Sequence, residues 1–212
     1  MNEVSVVEAT GIILAGGQSS RMGTNKALLD INGKRVIERV VEELQSTVNN
    51  IIIVTNSFEE YEFLGFPLVE DEWKGMGPLA GIHAGLTASQ TNKNLIVACD
   101  MPFISSSLGM LLLSQLEHYQ GVVPEIAGQL HPLFAAYRKE VKEEVKKSLE
   151  QDQRRIRSFF SQIHVKIMNE RELASNGFEV QEASFFNMNN PNEYAQAIDM
   201  EKNVRVKGCE NS

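Results

Sequence analysis

Cysteine is scarce in this chain: Cys99 and Cys209 are the two present among 212 residues. One lies inside an apolar run and the other in a polar tail, so no disulfide framework is expected and a reducing compartment is. Long hydrophobic runs are lacking as well. The longest uncharged stretches, Gly75 to Asn92 and Met101 to Leu116, are interrupted by Gly, Pro, Ser, Thr or Gln, and no transmembrane helix is expected. Met1 to Glu8 carries acids and no basic residues ahead of its apolar run, which argues against a cleaved secretory signal, so cytoplasm is the expected location. Cations are outnumbered, with 20 Lys plus Arg against 28 Asp plus Glu and a net charge of −8. Such a surface repels nucleic acid and acidic lipid unless a cationic patch is strongly localised, while a small anionic ligand in a cationic pocket remains compatible. There is no internal repeat, no low-complexity segment and no linker rich in Gly, Pro or Ser. One domain over residues 1–200 is expected, followed by a polar, flexible tail from Glu201 to Ser212.

What is present is an alternation. Apolar runs flanked by turn residues occur at Thr10 to Ala15, Asn50 to Thr55, Pro67 to Glu70 and Asn94 to Cys99, and these read as buried parallel strands. Between them lie helical patterns. Val36, Ile37, Val40, Val41 and Leu44 share one face, Ser57 with Glu60 suggests a capping box, and Pro78 suits the first turn of a helix through Leu86. Further on come a helix carrying Leu108, Leu111, Leu112 and Leu116, a strand over His131 to Tyr137, and a charged helix from Lys139 to Gln151. A strand over Ala183 to Phe186 precedes a final helix capped by Asn190 and reaching about Ile198. The alternation implies a layered α/β fold.

The strongest local feature is the run GIILAGGQSSRMGTNKALL, an apolar strand ending in Gly16 and Gly17 and followed by Arg21, Gly23 and Lys26. Paired glycines let backbone N–H groups approach anionic oxygens, and Arg21 and Lys26 add charge where phosphates would lie. It is neither a Walker A loop, since no Gly-Lys-Ser/Thr follows, nor a G-x-G-x-x-G fingerprint. The plainer alternative is a Gly-rich turn with two surface cations. Asp100 follows the strand Leu95 to Cys99, where an acid at a strand's carboxyl end beside a phosphate loop can hold Mg²⁺, or cap a turn. Zinc is disfavoured, because the four histidines are scattered and Cys99 has no CxxC partner.

Past the other strands, Asp71 and Asn56 project toward the same edge, although Glu70-Asp71-Glu72 equally suits a solvated acidic loop and Asn56 a turn. The glycine-dense segment Gly75 to Gly85 lets backbone approach a ligand at a helix amino terminus. For Gly85, close helix–sheet packing is as good an account. Asn187 and Asn189 alternate around Met188, so both amides can point one way while Met188 packs opposite.

The run LAGGQSSRMGTNKALLDINGK resembles the signature of the nucleotidyltransferases that activate a phosphate or sugar acceptor with a nucleoside triphosphate. GPLAGIHAGL, VACDMPFI, HPLFAAY, RRIRSFF and FFNMNNPNEY make the chain similar to the molybdenum cofactor guanylyltransferases over roughly residues 10 to 198. That resemblance implies a three-layer, Rossmann-like fold with a mostly parallel open sheet and helices on both faces. It further implies transfer of GMP from GTP to the terminal phosphate of molybdopterin, with or without molybdenum, releasing pyrophosphate. Arg21, Lys26 and Asp100 would be catalytic, and Asp100 would hold Mg²⁺ or, in its place, Mn²⁺. Leu14, Ala15, Gly16, Gly17, Lys26, Asp71, Gly77, Gly81 and Asp100 would bind the nucleotide, and Arg155, Asn187 and Asn189 the acceptor. Other proteins of molybdenum cofactor biosynthesis would be its partners. His131 matches a family position but receives no role, since a lone His on a strand is more often a satisfied core group. Asn56 receives none either, because the family's nucleotide-contacting asparagine aligns two positions earlier, at Val54. CTP in place of GTP, a sugar or lipid-precursor phosphate as acceptor, and a GTP-binding module without transfer remain alternatives.

Overall fold

The computed structural model describes residues 7–16 and 25–210, with residues 203–210 described by backbone alone. Its centre is a strand, β1 (Val7–Leu14), flanked by β2 (Val48–Val54) and β4 (Lys93–Ala98), all three parallel. β3 (Leu68–Val69) adds to β2 in the same sense. Four parallel strands stand where the apolar runs place them. Strands buried on both faces read as continuous apolar runs rather than alternating ones, which is why they are conspicuous in the sequence.

On the far side of β4 the sheet changes direction. β5 (Gly121–Ile126), β6 (Gln129–Leu130) and β7 (Phe134–Arg138) extend it, and β7 is antiparallel to both β4 and β5. A last strand, β8 (Val165–Asn169), returns parallel to β5 and completes an eight-stranded sheet. β5 is poorly marked in sequence because Gly121 and Pro124 interrupt its apolar run, and both residues are rare inside strands.

Side chains alternate across the central strands into two cores. Ile12 and Leu14 of β1 and Ile52 and Val54 of β2 face α2 (Pro78–Ala88) and α4 (Lys142–Glu150). Ile13 of β1 and Ile51 and Ile53 of β2 face α1 (Val36–Gln45) and α3 (Ser106–Gln115), with Leu173 of α5 (Glu170–Ser175) in the same core. Val36, Ile37, Val40, Val41 and Leu44 are all buried, as their helical spacing predicts. This is a three-layer α/β fold with a mostly parallel open sheet.

Four local expectations are corrected. Residues Phe58–Glu60 form a 3-10 turn that Ser57 does not cap with its side chain; instead Thr55 Oγ1 accepts from the Ser57 N–H at 3.1 Å. His131 sits in the turn before β7 rather than on it, with its N–H on the Pro124 carbonyl at 2.9 Å. Glu182–Phe185 is a 3-10 helix and not a strand: the Ser184 and Phe186 amides bond to carbonyls three residues back, at 2.9 and 3.1 Å. A strand needs a ladder partner for these amides, and the local turn supplies one instead. Finally, α6 (Pro191–Glu210) does not end near Ile198. The expected tail from Glu201 is helical to Glu210, since no Pro or Gly intervenes before Gly208, and Arg39 Nη1 pairs with Glu201 at 3.1 Å.

Gly85 of α2 is a packing glycine. A Cβ there would lie 2.3 Å from Ile12 Cγ2 and 3.3 Å from Val54 Cγ2, both on stiff β-branched side chains of the sheet. Gly85→Ala is expected to lower stability by about 2 kcal/mol through overpacking. The check is a lower urea midpoint at unchanged m-value; an unaltered midpoint would show that helix and sheet can part without cost.

Candidate functional site

The register of the parallel strands builds the site. Leu14 pairs with Val54 on one side and Ala98 on the other, and Val54 pairs with Val69, so four strand ends share one level. Two residues beyond this row come Gly16, Asn56, Asp100 and Asp71. Because side chains alternate with period two, residues equally far past paired positions arrive at the same edge together. This is the carboxyl edge of the sheet, where open α/β folds hold their ligands.

The cleft there has a volume of about 200 Å³. Its walls include Leu14, Ala15, Gly16, Lys26, Asp71, Gly77, Gly81 and Asp100, every nucleotide-site residue expected from the sequence except Gly17. Gly17 and Arg21 lie outside the described residues. Asn25, Val54, Pro78, Ala98, Cys99 and Leu133 also line it. Of these, Asn25 was legible in principle, as an Asn at the cap position of the turn that carries Lys26. Leu133 was not, because it reaches the cleft from the antiparallel half of the sheet.

Each wall has a local cause. Lys26 opens a 3-10 turn, Lys26–Leu28, capped by Asn25, whose Oδ1 accepts from the Ala27 N–H at 3.1 Å while the Ala27 side chain is fully buried. On the opposite wall Gly77 caps α2 at φ 68°, a backbone conformation that suits glycine, and Pro78 follows at the first helical position. No acid occupies that first turn, and with Gly77, Pro78 and Gly81 lining the cleft the helix turns its positive end toward it. Gly81 is as much a packing residue as a lining one, since a Cβ there would stand 3.2 Å from Leu14 Cδ2.

The two acids differ in their surroundings. Asp71 is paired with Asn56: Asn56 Nδ2 donates to Asp71 Oδ2 at 3.0 Å, and the Asp71 N–H donates to Asn56 Oδ1 at 3.3 Å. Asn56 is therefore more than a turn former; it grips Asp71 by one carboxylate oxygen and by the backbone N–H. The other oxygen, Asp71 Oδ1, is buried with no hydrogen-bond partner among the described residues. Asp100 is half-buried, and burial pushes its carboxyl above the usual carboxylate range, against the opposing pull of the Lys26 ammonium. Glu193 on α6 adds to the upward push.

A desolvated carboxylate with one lysine acting on it calls for more positive charge, and its hard oxygens suit a divalent cation. Among the described residues no group of three or more His, Cys, Asp or Glu side chains gathers to hold a metal. A cation here would thus take Asp100 as its protein ligand and most of its remaining oxygens from substrate or water. The partly buried Cys99 thiol beside it, pushed up to about 12 by desolvation, stays protonated.

The acceptor residues divide. Asn187 and Asn189 flank Met188, which is fully buried among Ile31, Val36 and Ala197. The Met188 N–H donates to the Asp100 carbonyl at 3.0 Å, and Lys26 Nζ donates to Asn189 Oδ1 at 3.2 Å. Asn189 therefore meets the lysine of the cleft directly. Asn187 turns back instead, its Nδ2 on the Phe185 carbonyl at 3.3 Å. Asn190 caps α6, accepting from the Asn192 and Glu193 amides at 3.0 Å each. Arg155 is exposed at the start of the 3-10 helix Ile156–Gln162 and is not among the residues of the cleft. His131 packs against Phe185 with ring centroids 4.7 Å apart and the ring planes tilted by 48°, and burial lowers its pKa, so it is a packed, neutral imidazole.

Residues 11–167 match the family model described as the MobA-like NTP transferase domain. A probable molybdenum cofactor guanylyltransferase of Pelotomaculum thermopropionicum is 38% identical over 95% of this chain and 97% of its own. One from Carboxydothermus hydrogenoformans is 37% identical over 89% and 94%. Among solved structures, the molybdopterin-guanine dinucleotide biosynthesis protein A of Archaeoglobus fulgidus superposes with a TM-score of 0.78 at 24% identity, covering 92% of this chain and 99% of that one. A CMP:2-keto-3-deoxy-manno-octonic acid synthetase complexed with CTP reaches 0.71 at 14% identity, covering 93% and 100%, a likeness of fold.

The raised carboxyl of Asp100 has a pH signature. Its folded pKa lies above the unfolded value, so its charge costs stability at neutral pH, and the cost fades as pH falls below the ordinary carboxylate range where both states are protonated. Asp100→Asn is expected to raise the melting temperature at pH 7, with the gain vanishing near pH 3, while turnover is lost. A melting temperature lowered at pH 7 would mean that the charged carboxylate is a net stabiliser.

Proposed function

The chain belongs to the MobA-like NTP transferase family, among the molybdenum cofactor guanylyltransferases, and on that premise we propose that it transfers GMP from GTP to the terminal phosphate of molybdopterin. The observation that carries the proposal is the convergence of Leu14, Ala15, Gly16, Lys26, Asp71, Gly77, Gly81 and Asp100 on one cleft at the sheet's carboxyl edge. A hydrolase would need a positioned base and a water, and a binding module would not need Lys26 and Asp100 on the same triphosphate site.

In this reading a phosphate oxygen of the pterin attacks the α-phosphorus of GTP in line. One P–O bond forms, the bond to the bridging α–β oxygen breaks, and pyrophosphate leaves with the electron pair. The acceptor phosphate is already ionised, so the enzyme removes no proton. Its work is positioning and charge neutralisation. The backbone from Leu14 through Gly17 cradles the triphosphate, Lys26 and Arg21 neutralise charge that grows on the transferred group and on pyrophosphate, and the amino end of α2 faces the anion through Gly77. Asp71, braced by Asn56, binds the guanine nucleotide. A magnesium ion, or manganese in its place, supplies Lewis-acid charge on the triphosphate when bound, and Asp100 is the residue that would hold it.

On the acceptor side Asn189 is the best supported residue, since Lys26 already touches it. Asn187 and Arg155 are the other two residues we assign to the acceptor. Among the described residues no helix is long and apolar enough to cross a membrane. The two cysteines and the reduced pterin substrate fit a reducing cytoplasm, in company with other proteins of molybdenum cofactor biosynthesis.

The test is pyrophosphate release from each of the four nucleoside triphosphates with Mg²⁺ and molybdopterin. Release with GTP, dependent on the pterin, is expected, and Lys26→Ala should cut kcat by about 100-fold or more, on the scale of losing one preorganised charge donor. Release with CTP alone would move the protein to cytidylyl transfer; silence with all four would point to another acceptor or to binding without transfer.

A further inference from the structure

We propose that Tyr61 is a positioning residue for the nucleotide half of the cleft, acting through its hydroxyl on Ala15 at the exit of β1 and on Asn25, the residue before Lys26. The inference rests on the reading above that this cleft takes GTP. Tyr61 lies between two 3-10 turns, Phe58–Glu60 and Glu62–Leu64, in the segment joining β2 to β3, far in sequence from either residue it touches. It is one of the largest fully buried side chains in the protein. A phenylalanine would fill the same space without having to desolvate a hydroxyl, so the oxygen needs its own explanation.

Donor and acceptor accounting supplies one. Asn25 Oδ1 is taken by the Ala27 N–H, which leaves Asn25 Nδ2 facing the other way with two protons to give. One goes to Tyr61 Oη at 2.8 Å and the other to Glu60 Oε2 at 2.7 Å. The tyrosine, having accepted, donates its own proton to the Ala15 carbonyl at 3.4 Å. The chain of bonds runs in one direction, from the turn bearing Lys26, through the Asn25 amide and the phenol, to the end of β1. Burial pushes the phenol above the ordinary tyrosine range, so it keeps the proton that the last bond requires. Ala15, Asn25 and Lys26 all line the cleft. Tyr61 does not touch it; it sets the spacing between two walls that do.

A purely structural hydroxyl would show in stability and weaken both substrates together. A positioning hydroxyl would show in the nucleotide alone. In the full-length chain, Tyr61→Phe is expected to raise KM for GTP about tenfold, to leave KM for molybdopterin within twofold, and to keep the melting temperature within a few degrees. Asn25→Ala should raise KM for GTP similarly, and the double variant no further than the stronger single one, because both break the same linkage. A wild-type KM for GTP in Tyr61→Phe, an equal rise in both KM values, or additive effects in the double variant would each overturn the proposal. If the native chain turns over none of the four triphosphates, the transfer reading fails on its own. Calorimetric titration of GTP then decides the tyrosine: about tenfold weaker binding by Tyr61→Phe sustains its role, while equal binding, or none by the native chain, ends it.

Discussion

The row of paired residues Leu14, Val54, Val69 and Ala98 is the constraint from which the cleft follows. Parallel strands in register stop at a common level, and period-two geometry then delivers whatever lies two positions further to one edge. A slip of β4 by one residue along β1 would set Cys99 where Asp100 now stands and would also swap the faces of β4, because Ile96 and Val97 belong to opposite cores. The same burial that stabilises the sheet therefore fixes where the carboxylates point. Core and site are not separate specifications here; one register serves both.

Around that edge, charge is deliberately incomplete. The chain as a whole is acidic, and two carboxylates, Asp71 and Asp100, enter a cleft whose described cationic side chain is Lys26. Such a site is poised between repelling a polyanion and accepting one. The balance is tipped by groups that carry no formal charge: the amino end of α2, which no side chain caps, and the backbone near Gly16. Asn56 contributes by occupying one oxygen of Asp71, so that the acid is oriented before any ligand arrives.

Much of this was readable in the sequence, for a physical reason. Strands buried on both faces and a glycine-rich turn leave local marks, and so the four parallel strands, the α1 face and the residues from Leu14 to Lys26 stood out. What escaped was set by distant pairing. β5 hides behind Pro124, and residues 183–186 look extended until their amides are seen to bond three residues back. Asn56 received no role because its partner, Asp71, lies 15 residues away, past the end of another strand. Tyr61 offered no motif, since a buried tyrosine is unremarkable until its hydroxyl is seen to bridge Ala15 and Asn25. Arg155 carried weight by resemblance and stands apart from the cleft all the same.

The segment around Met188 comes back from the far end of the chain to pack on Ile31 and Val36, with the Tyr194 hydroxyl on the Asp30 carbonyl at 2.6 Å. Consider the chain as it leaves the ribosome. The strands and turns that carry Leu14, Lys26, Asp71, Gly77 and Asp100 emerge within the first half, while synthesis continues. Asn189 arrives only near the end, and the lysine that it meets has by then been in place for most of the chain's length. The two sides of the cleft thus have different birthdays, and a nascent chain has the wall of Gly16, Lys26 and Asp100 before it has Asn189 to set against it.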